Sequence, residues 1–335
     1  MCRNWWKNLL EIINNNLKYS KRTMEKLVVI AFGGNALLRK GGGVDYAAQK
    51  ENVAQICGTL EAMARSGARM IIGHGNGPQV GNVLLQHEAG RKMSGVEAMP
   101  LDFCVAETQG SLGYMIECGM RNMMAQKGIE RGVVTLLSQV VVDAEDPAFH
   151  NPTKPIGPYF TEEEAKELTA TKGETYHRDP KGRGWRKVVA SPKPLAVHNV
   201  ELVKMLADAG NVVVAVGGGG VAVVNRDGKW EGLEAVIDKD LALATTAVAV
   251  GADEFYILTD IEKVCLHFNT PEEKRLDRIT VAEAKQYLAE GHFAEGSMAP
   301  KIRAAVHFVE NCGGECIITD AACLGDPSCG TRIVK

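Results

Sequence analysis

The sequence predicts an α/β protein built on a mostly parallel sheet with helices on both faces. Three observations predict it. Apolar, β-rich runs recur without alternation, as strands buried on both faces require. Three of these runs finish in glycine turns. Segments of helical periodicity separate them, which is the strand–helix rhythm of a parallel sheet.

Taken in order, Leu27–Phe32 (LVVIAF) reads as the first strand and ends at Gly33-Gly34-Asn35. A helix follows, with Val53, Ile56, Leu60 and Met63 on one stripe, stopped at Ser66-Gly67. The strand Arg69–Gly73 leads into Gly75-Asn76-Gly77-Pro78. Helices are expected from about Gln79 and over Asp102–Gln126, then a strand at Val133–Leu137. The strand Asn211–Val216 runs into Gly217–Gly220, and a helix covers Asp238–Val250. A strand at Glu254–Thr259, helices at 280–290 and 300–311, and a strand at Glu315–Thr319 close the reading. Two stretches depart from the rhythm. Residues 142–190 are rich in proline and poor in apolar periodicity, and Asn151-Pro-Thr-Lys-Pro-Ile-Gly-Pro158 is stiff and extended; this reads as a flap or small subdomain. Asn225–Gly232 reads as a turn-rich hairpin between two lobes.

Composition narrows the function. A chain of 335 residues allows one large or two moderate domains. With 45% hydrophobic and 24% charged residues, disorder and fibres are excluded. The 38 Lys and Arg against 41 Asp and Glu give a net charge of −3, so no overall field holds it on nucleic acid or an anionic membrane. No apolar run approaches the ~18 residues of a spanning helix. Nine cysteines, an odd number set mostly in apolar segments, suit a reducing, cytoplasmic setting. The C-terminal set Cys312, Cys316, Cys323 and Cys329 lacks metal-ligand spacing. Residues 1–23 carry five Lys/Arg and one acid and read as a dispensable extension, the folded unit starting near Met24.

Glycine at the end of a parallel strand lets backbone N–H groups approach an anion beside a helix N-terminus. Three such turns point to a phosphate-handling cleft. A Walker P-loop is absent. His177-Arg178-Asp179 mimics a protein-kinase catalytic loop, but the Asn five residues on and the Asp-Phe-Gly are missing. Gly217, Gly219 and Ala222 satisfy G-x-G-x-x-A, with Asp238 downstream. A dinucleotide site needs a helix there, however, and Val221–Val224 is β-rich.

Two lysines sit where helix electrostatics disfavours them. Asp238 is a good N-cap, but Lys239 follows it at the positive helix end. Lys301 repeats the anomaly after Pro300, which fits a first helical position. Both suggest a shared anion, with Asp240 holding the ammonium groups. Lys154, between prolines in the flap, is a third candidate. Glycine amides plus lysines suit in-line phosphoryl transfer. No general base stands out, which points to an acceptor that is already anionic.

These segments resemble the amino acid kinase superfamily, and within it the carbamate kinase family. The resemblance runs from about Leu27 to Lys335. It rests on Ala31–Leu37, His74–Gly81, Asn151–Pro158, Ala190–Pro194, Ala215–Gly220, Ala235–Asp240, Leu258-Thr-Asp260 and Gly296–Lys301. It implies a three-layer α/β/α sandwich with a central sheet of about eight strands and a protruding subdomain at about 142–190. It also implies a cytoplasmic homodimer. The implied activity is reversible phosphoryl exchange between MgATP and carbamate, giving ADP and carbamoyl phosphate. In the family this exchange often runs toward ATP at the end of arginine breakdown, the arginine dihydrolase pathway. The implied division is a carbamate lobe over 24–230 and a nucleotide lobe over 231–335.

By resemblance, Lys239 and Lys301 neutralise the transferred phosphoryl group, Asp240 organises them, and Lys154 reaches carbamoyl phosphate. Gly33, Gly34, Asn35, Gly75, Asn76, Gly77, Gly217, Gly218 and Gly219 surround carbamate and the moving phosphate. Thr259, Asp260, Met298 and Lys301 lie by the nucleotide, and Mg²⁺ is held by nucleotide phosphates and water. The first strand carries no lysine, unlike kinases of acylated glutamate, as expected if Lys154 substitutes from the subdomain. Related alternatives are a kinase for another small carboxylate or a nucleoside monophosphate, or a nucleotide sensor without turnover. The presence of Lys154, Lys239 and Lys301 together argues against the sensor.

Overall fold

The computed structural model describes residues 25–33, 45–179, 182–326 and 328–335; the 1–23 extension, Gly34 and Asn35 lie outside the described residues. The first third runs β1 (Leu27–Phe32), α1 (Tyr46–Thr59), α2 (Glu61–Ser66), β2 (Arg69–His74), α3 (Gly77–Ser94) and α4 (Leu101–Gln126). Next come β3 (Val133–Thr135), β4 (Gln139–Val141), β5 (Lys154–Phe160), α5 (Glu162–Lys172), β6 (Tyr176–Arg178), β7 (Trp185–Val189) and β8 (Ala196–Val197). Then follow α6 (Val200–Asp208), β9 (Val212–Val214), β10 (Val221–Arg226), β11 (Lys229–Gly232) and α7 (Lys239–Val250). The chain closes with β12 (Glu254–Thr259), β13 (Cys265–Leu266), β14 (Lys274–Arg275), β15 (Arg278–Thr280), α8 (Val281–Ala289), α9 (Met298–Cys312), β16 (Glu315–Asp320) and β17 (Thr331–Val334).

Eight strands form the main sheet in the order β15-β17-β16-β12-β1-β2-β9-β3. Every pairing is parallel except β16 with β17. β1 lies near the middle, buried along its whole length. Because side chains alternate across a strand, Leu27, Val29 and Ala31 enter the core shared with α6, α7, α8 and α9. Val28, Ile30 and Phe32 enter the opposite core, against α1, α2 and α4. This gives the three layers, and it explains why the strand shows no alternation in sequence.

Several boundaries differ from the sequence reading. The stripe from Val53 to Met63 is two helices, because the chain turns at Leu60, whose N–H donates to the Cys57 and Gly58 carbonyls. α9 begins at Met298, so Pro300 is its third residue rather than its first; its missing N–H has no intrahelical acceptor at either position. The reading lacked α6, the edge strand β15 and its neighbour β17. The Gly217–Gly220 turn runs straight into β10, so it opens no helix.

The proline-rich stretch holds a three-stranded antiparallel sheet, β5-β7-β6, with α5 packed on β7. It is seated on α3. Ile156 is buried with Val80 and Val105. Lys172 of α5 pairs with Glu88 of α3. Gly81 meets the Gly157 backbone so closely that a Cβ at 81 collides with it, and Gly157 itself has φ +69°. Gly81→Ala is therefore expected to push β5 off α3, at about 1–3 kcal/mol as for other overpacked sites. Denaturant unfolding measures that loss, and turnover should fall with it, because β5 begins at Lys154.

Candidate active site

The carboxyl ends of β1, β2, β9 and β12 converge on the start of α7. Asp238 caps this helix, accepting from the Asp240 and Leu241 amides at 2.9 and 3.3 Å through one oxygen. Its other oxygen accepts from Lys154 Nζ at 2.6 Å. Lys239 Nζ lies 2.5 Å from Asp240 Oδ1, and Lys301 Nζ lies 2.8 Å from Asp240 Oδ2. Three lysines from three distant segments thus meet two carboxylates set two residues apart. Lys239 and Asp240 are buried, and the Lys301 side chain is 15% exposed.

Burial by itself raises both carboxyls. For Asp238, the ammonium groups of Lys154, Lys239 and Lys301 outweigh it and hold the acid well below the usual range. For Asp240, Lys239 and Lys301 do the same. Burial pulls Lys239 down to about 8, against the attraction of Asp240 and with the repulsion of Lys301. Lys301 is also lowered by burial, but Asp240 more than compensates and raises it overall.

The turns at Gly75–Gly77 and Gly217–Gly219 form a wall beside this cluster. The Gly75 amide donates to the Phe32 carbonyl at 3.0 Å, stacking the second turn on the end of β1 beside Gly33. Gly217–Gly219 is a buried turn of 3₁₀ type. A side chain at Gly217 would strike His74, one at Gly218 would strike Asn76, and one at Gly219 would strike the Ile237 carbonyl just ahead of Asp238. Close packing therefore requires these glycines as much as ligand approach does. The Gly219 and Gly220 amides are already donated to Val216 and Gly217. Among the described residues this leaves the Gly217 and Gly218 amides, with the first amides of α3 from Gly77 on, as donors a ligand can use.

Sequence reasoning missed the residues that brace this wall. Asn76 donates to Thr108 Oγ1 at 2.9 Å. Gln109 takes the Ser138 amide at 2.8 Å and gives its own to the Ser138 carbonyl at 3.0 Å. Ser138 Oγ in turn accepts from the Val216 amide. Val216 sits at φ +56°, a rare conformation for a β-branched residue, and so marks local strain. Burial holds His74 near 4, hence neutral; its Nε2 has no partner and faces Gly217. The sequence marks Asp238 as a helix cap, but nothing in it signals the pairing with Lys154.

Thr259 and Asp260 stand at the end of β12, outside the lysine ion pairs, with the Thr259 hydroxyl 3.2 Å from Asp260 Oδ1. Met298 opens α9 three residues ahead of Lys301. His177-Arg178-Asp179 lies on and just after β6, where Asp179 pairs with Arg183.

Below about pH 8 Lys239 is charged, and above it neutral. An anion held by the charged form should bind more weakly as pH rises through 8, tending toward about tenfold per pH unit when that proton is required. Calorimetric titration with inorganic pyrophosphate on either side of pH 8 measures this; a flat profile would remove Lys239 from the anion's contacts.

Comparison with known proteins adds to this geometry. The sequence profile of the Amino acid kinase family matches residues 26–320. The chain is 45% identical over 295 residues to a carbamate kinase of Pyrococcus horikoshii, covering 88% of this chain and 94% of that one. Among solved structures, the carbamate kinase of Giardia lamblia bound to citric acid superposes with a TM-score of 0.87 at 39% identity, over 93% of this chain and 99% of that one. The same enzyme bound to AMP-PNP gives a TM-score of 0.85 at 39% identity and the same coverage.

Proposed function

The chain belongs to the amino acid kinase family, among its carbamate kinases, and from that premise we propose that it passes a phosphoryl group reversibly between ATP and carbamate, giving ADP and carbamoyl phosphate. The observation that carries the reading is the meeting of Lys154, Lys239 and Lys301 on Asp238 and Asp240. Three ammonium groups against two carboxylates leave one positive charge unbalanced, and the neighbouring amides add uncharged donors. That is the complement of a phosphoryl group in flight, where positioning and charge neutralisation are most of the catalysis.

In the direction of ATP synthesis, a β-phosphate oxygen of ADP attacks the phosphorus of carbamoyl phosphate. The bond from phosphorus to the carbamoyl oxygen breaks, and its electron pair leaves with carbamate. Lys239 and Lys301 face the equatorial oxygens, held in line by the two oxygens of Asp240. Lys154 faces the carbamoyl end from the small sheet. Gly33, Gly75, Asn76, Gly77 and Gly217–Gly219 surround carbamate and the moving group; Thr259, Asp260 and Met298 border the nucleotide. Carbamate is already an anion, so no side chain has to take a proton, in keeping with a neutral His74.

Mg²⁺ fits this site as a companion of the nucleotide. All four oxygens of Asp238 and Asp240 are engaged by lysines or backbone amides, so phosphate and water oxygens are its natural ligands, and it supplies charge neutralisation there. We assign the carbamate side to residues 24–230 and the nucleotide side to 231–335, and place the enzyme as a homodimer in the cytoplasm. The eight described cysteines are free thiols, as a reducing compartment requires. Carbamoyl phosphate arising from arginine breakdown is the proposed source of the phosphoryl group.

A coupled assay for ATP from ADP and carbamoyl phosphate, with Mg²⁺, is expected to show turnover; ADP binding without turnover would mean a sensor instead. Lys239→Ala and Lys301→Ala should each lower the rate at least ~100-fold with circular dichroism unchanged. Near-normal rates in both would dismiss the lysine cluster as the catalytic device.

A further inference from the structure

His87, Cys104 and Glu107 lie outside the lysine site. His87 is on α3; Cys104 and Glu107 are three residues apart on α4, a spacing that puts them on one side of that helix. His87 Nε2 is 2.9 Å from Glu107 Oε2, and the ligating atoms of all three residues lie within 4.8 Å of one another. Cys104 is fully buried, His87 half-buried and Glu107 exposed. The group therefore has a dry floor and an open side. Among the described residues no other trio of His, Cys, Asp or Glu converges this way.

We propose that His87, Cys104 and Glu107 form a binding site for a zinc-class divalent ion that bridges α3 and α4. A thiolate, an imidazole and a carboxylate are the three donor types zinc uses, and three protein ligands leave a fourth position for water. Bonds of roughly 2.0–2.3 Å place tetrahedral ligands about 3.5 Å apart. The present spread closes to that by about 1 Å of side-chain rotation. On binding, the Cys104 thiol gives its proton to solvent, and sulfur, imidazole nitrogen and carboxylate oxygen each contribute an electron pair to the ion. The contacts exchanged are small: the His87–Glu107 bond and a 3.8 Å contact from Cys104 Sγ to the Met99 carbonyl.

The position gives the ion a structural effect. Thr108 and Gln109, directly after Glu107, brace Asn76 and Ser138, and α3 begins at Gly77. An ion here cross-links the two helices that support the glycine wall. The inference rests on these side chains alone and stands whether or not the phosphoryl-transfer reading holds.

The test uses the full chain, reduced and stripped by chelation, titrated anaerobically with Co²⁺. The expected result is one equivalent of tetrahedral cobalt with a thiolate-to-metal charge-transfer band, bleached by Zn²⁺. Cys104→Ser should abolish that band. Glu107→Gln and His87→Gln, both near the surface, should weaken cobalt binding at least ~10-fold, a change comparable to losing a site's supporting contacts. They carry the test should Cys104→Ser fail to fold. Zn²⁺ should raise Tm in the unmodified chain and, at the same concentration, by less in His87→Gln. No charge-transfer band, or a band that survives in folded Cys104→Ser, overturns the proposal, the latter by assigning the metal to other cysteines such as Cys323 and Cys329.

Discussion

Two carboxylates at one helix start hold three lysines, and the surrounding fold is arranged to make that concentration of charge tolerable. Lys239 and Asp240 are buried, where an isolated charge would cost several kcal/mol. Lysines at a helix N-terminus also oppose the macrodipole. Asp238 and Asp240 resolve both conflicts by geometry: each divides its two oxygens between separate partners, so every carboxylate oxygen is engaged. Among the described residues the residual positive charge has no further partner. A ligand carrying phosphate supplies one, which turns a local instability into affinity.

The scaffold serves that arrangement at several removes. Parallel pairing brings the carboxyl ends of β1, β2, β9 and β12 to one edge, and α7 starts there. The glycine turn after β9 packs against His74, Asn76 and Ile237 with no space for side chains. Its lead residue, Val216, is held in a left-handed conformation that costs roughly 1–3 kcal/mol; the amide bond to Ser138 and the Gln109 contacts hold it there. The small sheet contributes Lys154 from outside the main layers, seated on α3 by two facing glycines.

What the sequence disclosed follows from how local each signal is. β1, β2 and β12 were legible because each is an unbroken apolar run, and β12 was placed at its observed bounds, Glu254–Thr259. β15 and β17 were not, since strands of three and four residues carry too few side chains to make a pattern. α6 was passed over although its apolar stripe is strong, because it fills a short gap between the insertion and β9. At the site, Lys239, Lys301 and Asp240 stood out through their place at helix starts. The second role of Asp238 did not, because its partner Lys154 lies 84 residues away and nothing nearby in the chain marks the contact. Thr108, Gln109 and Ser138 likewise act through packing between remote segments.

The central strand sets a timetable for synthesis. On one edge β1 pairs with β2 soon after, but on the other Val28 pairs with Glu254. At ~5–20 residues per second a ribosome takes roughly ten to forty-five seconds to reach that partner. Throughout that interval a wholly apolar strand waits with one row of amides and carbonyls unsatisfied, the kind of edge on which nascent chains aggregate. The nascent protein thus depends on shelter, from a chaperone or from its own earlier helices, until its C-terminal third has been made.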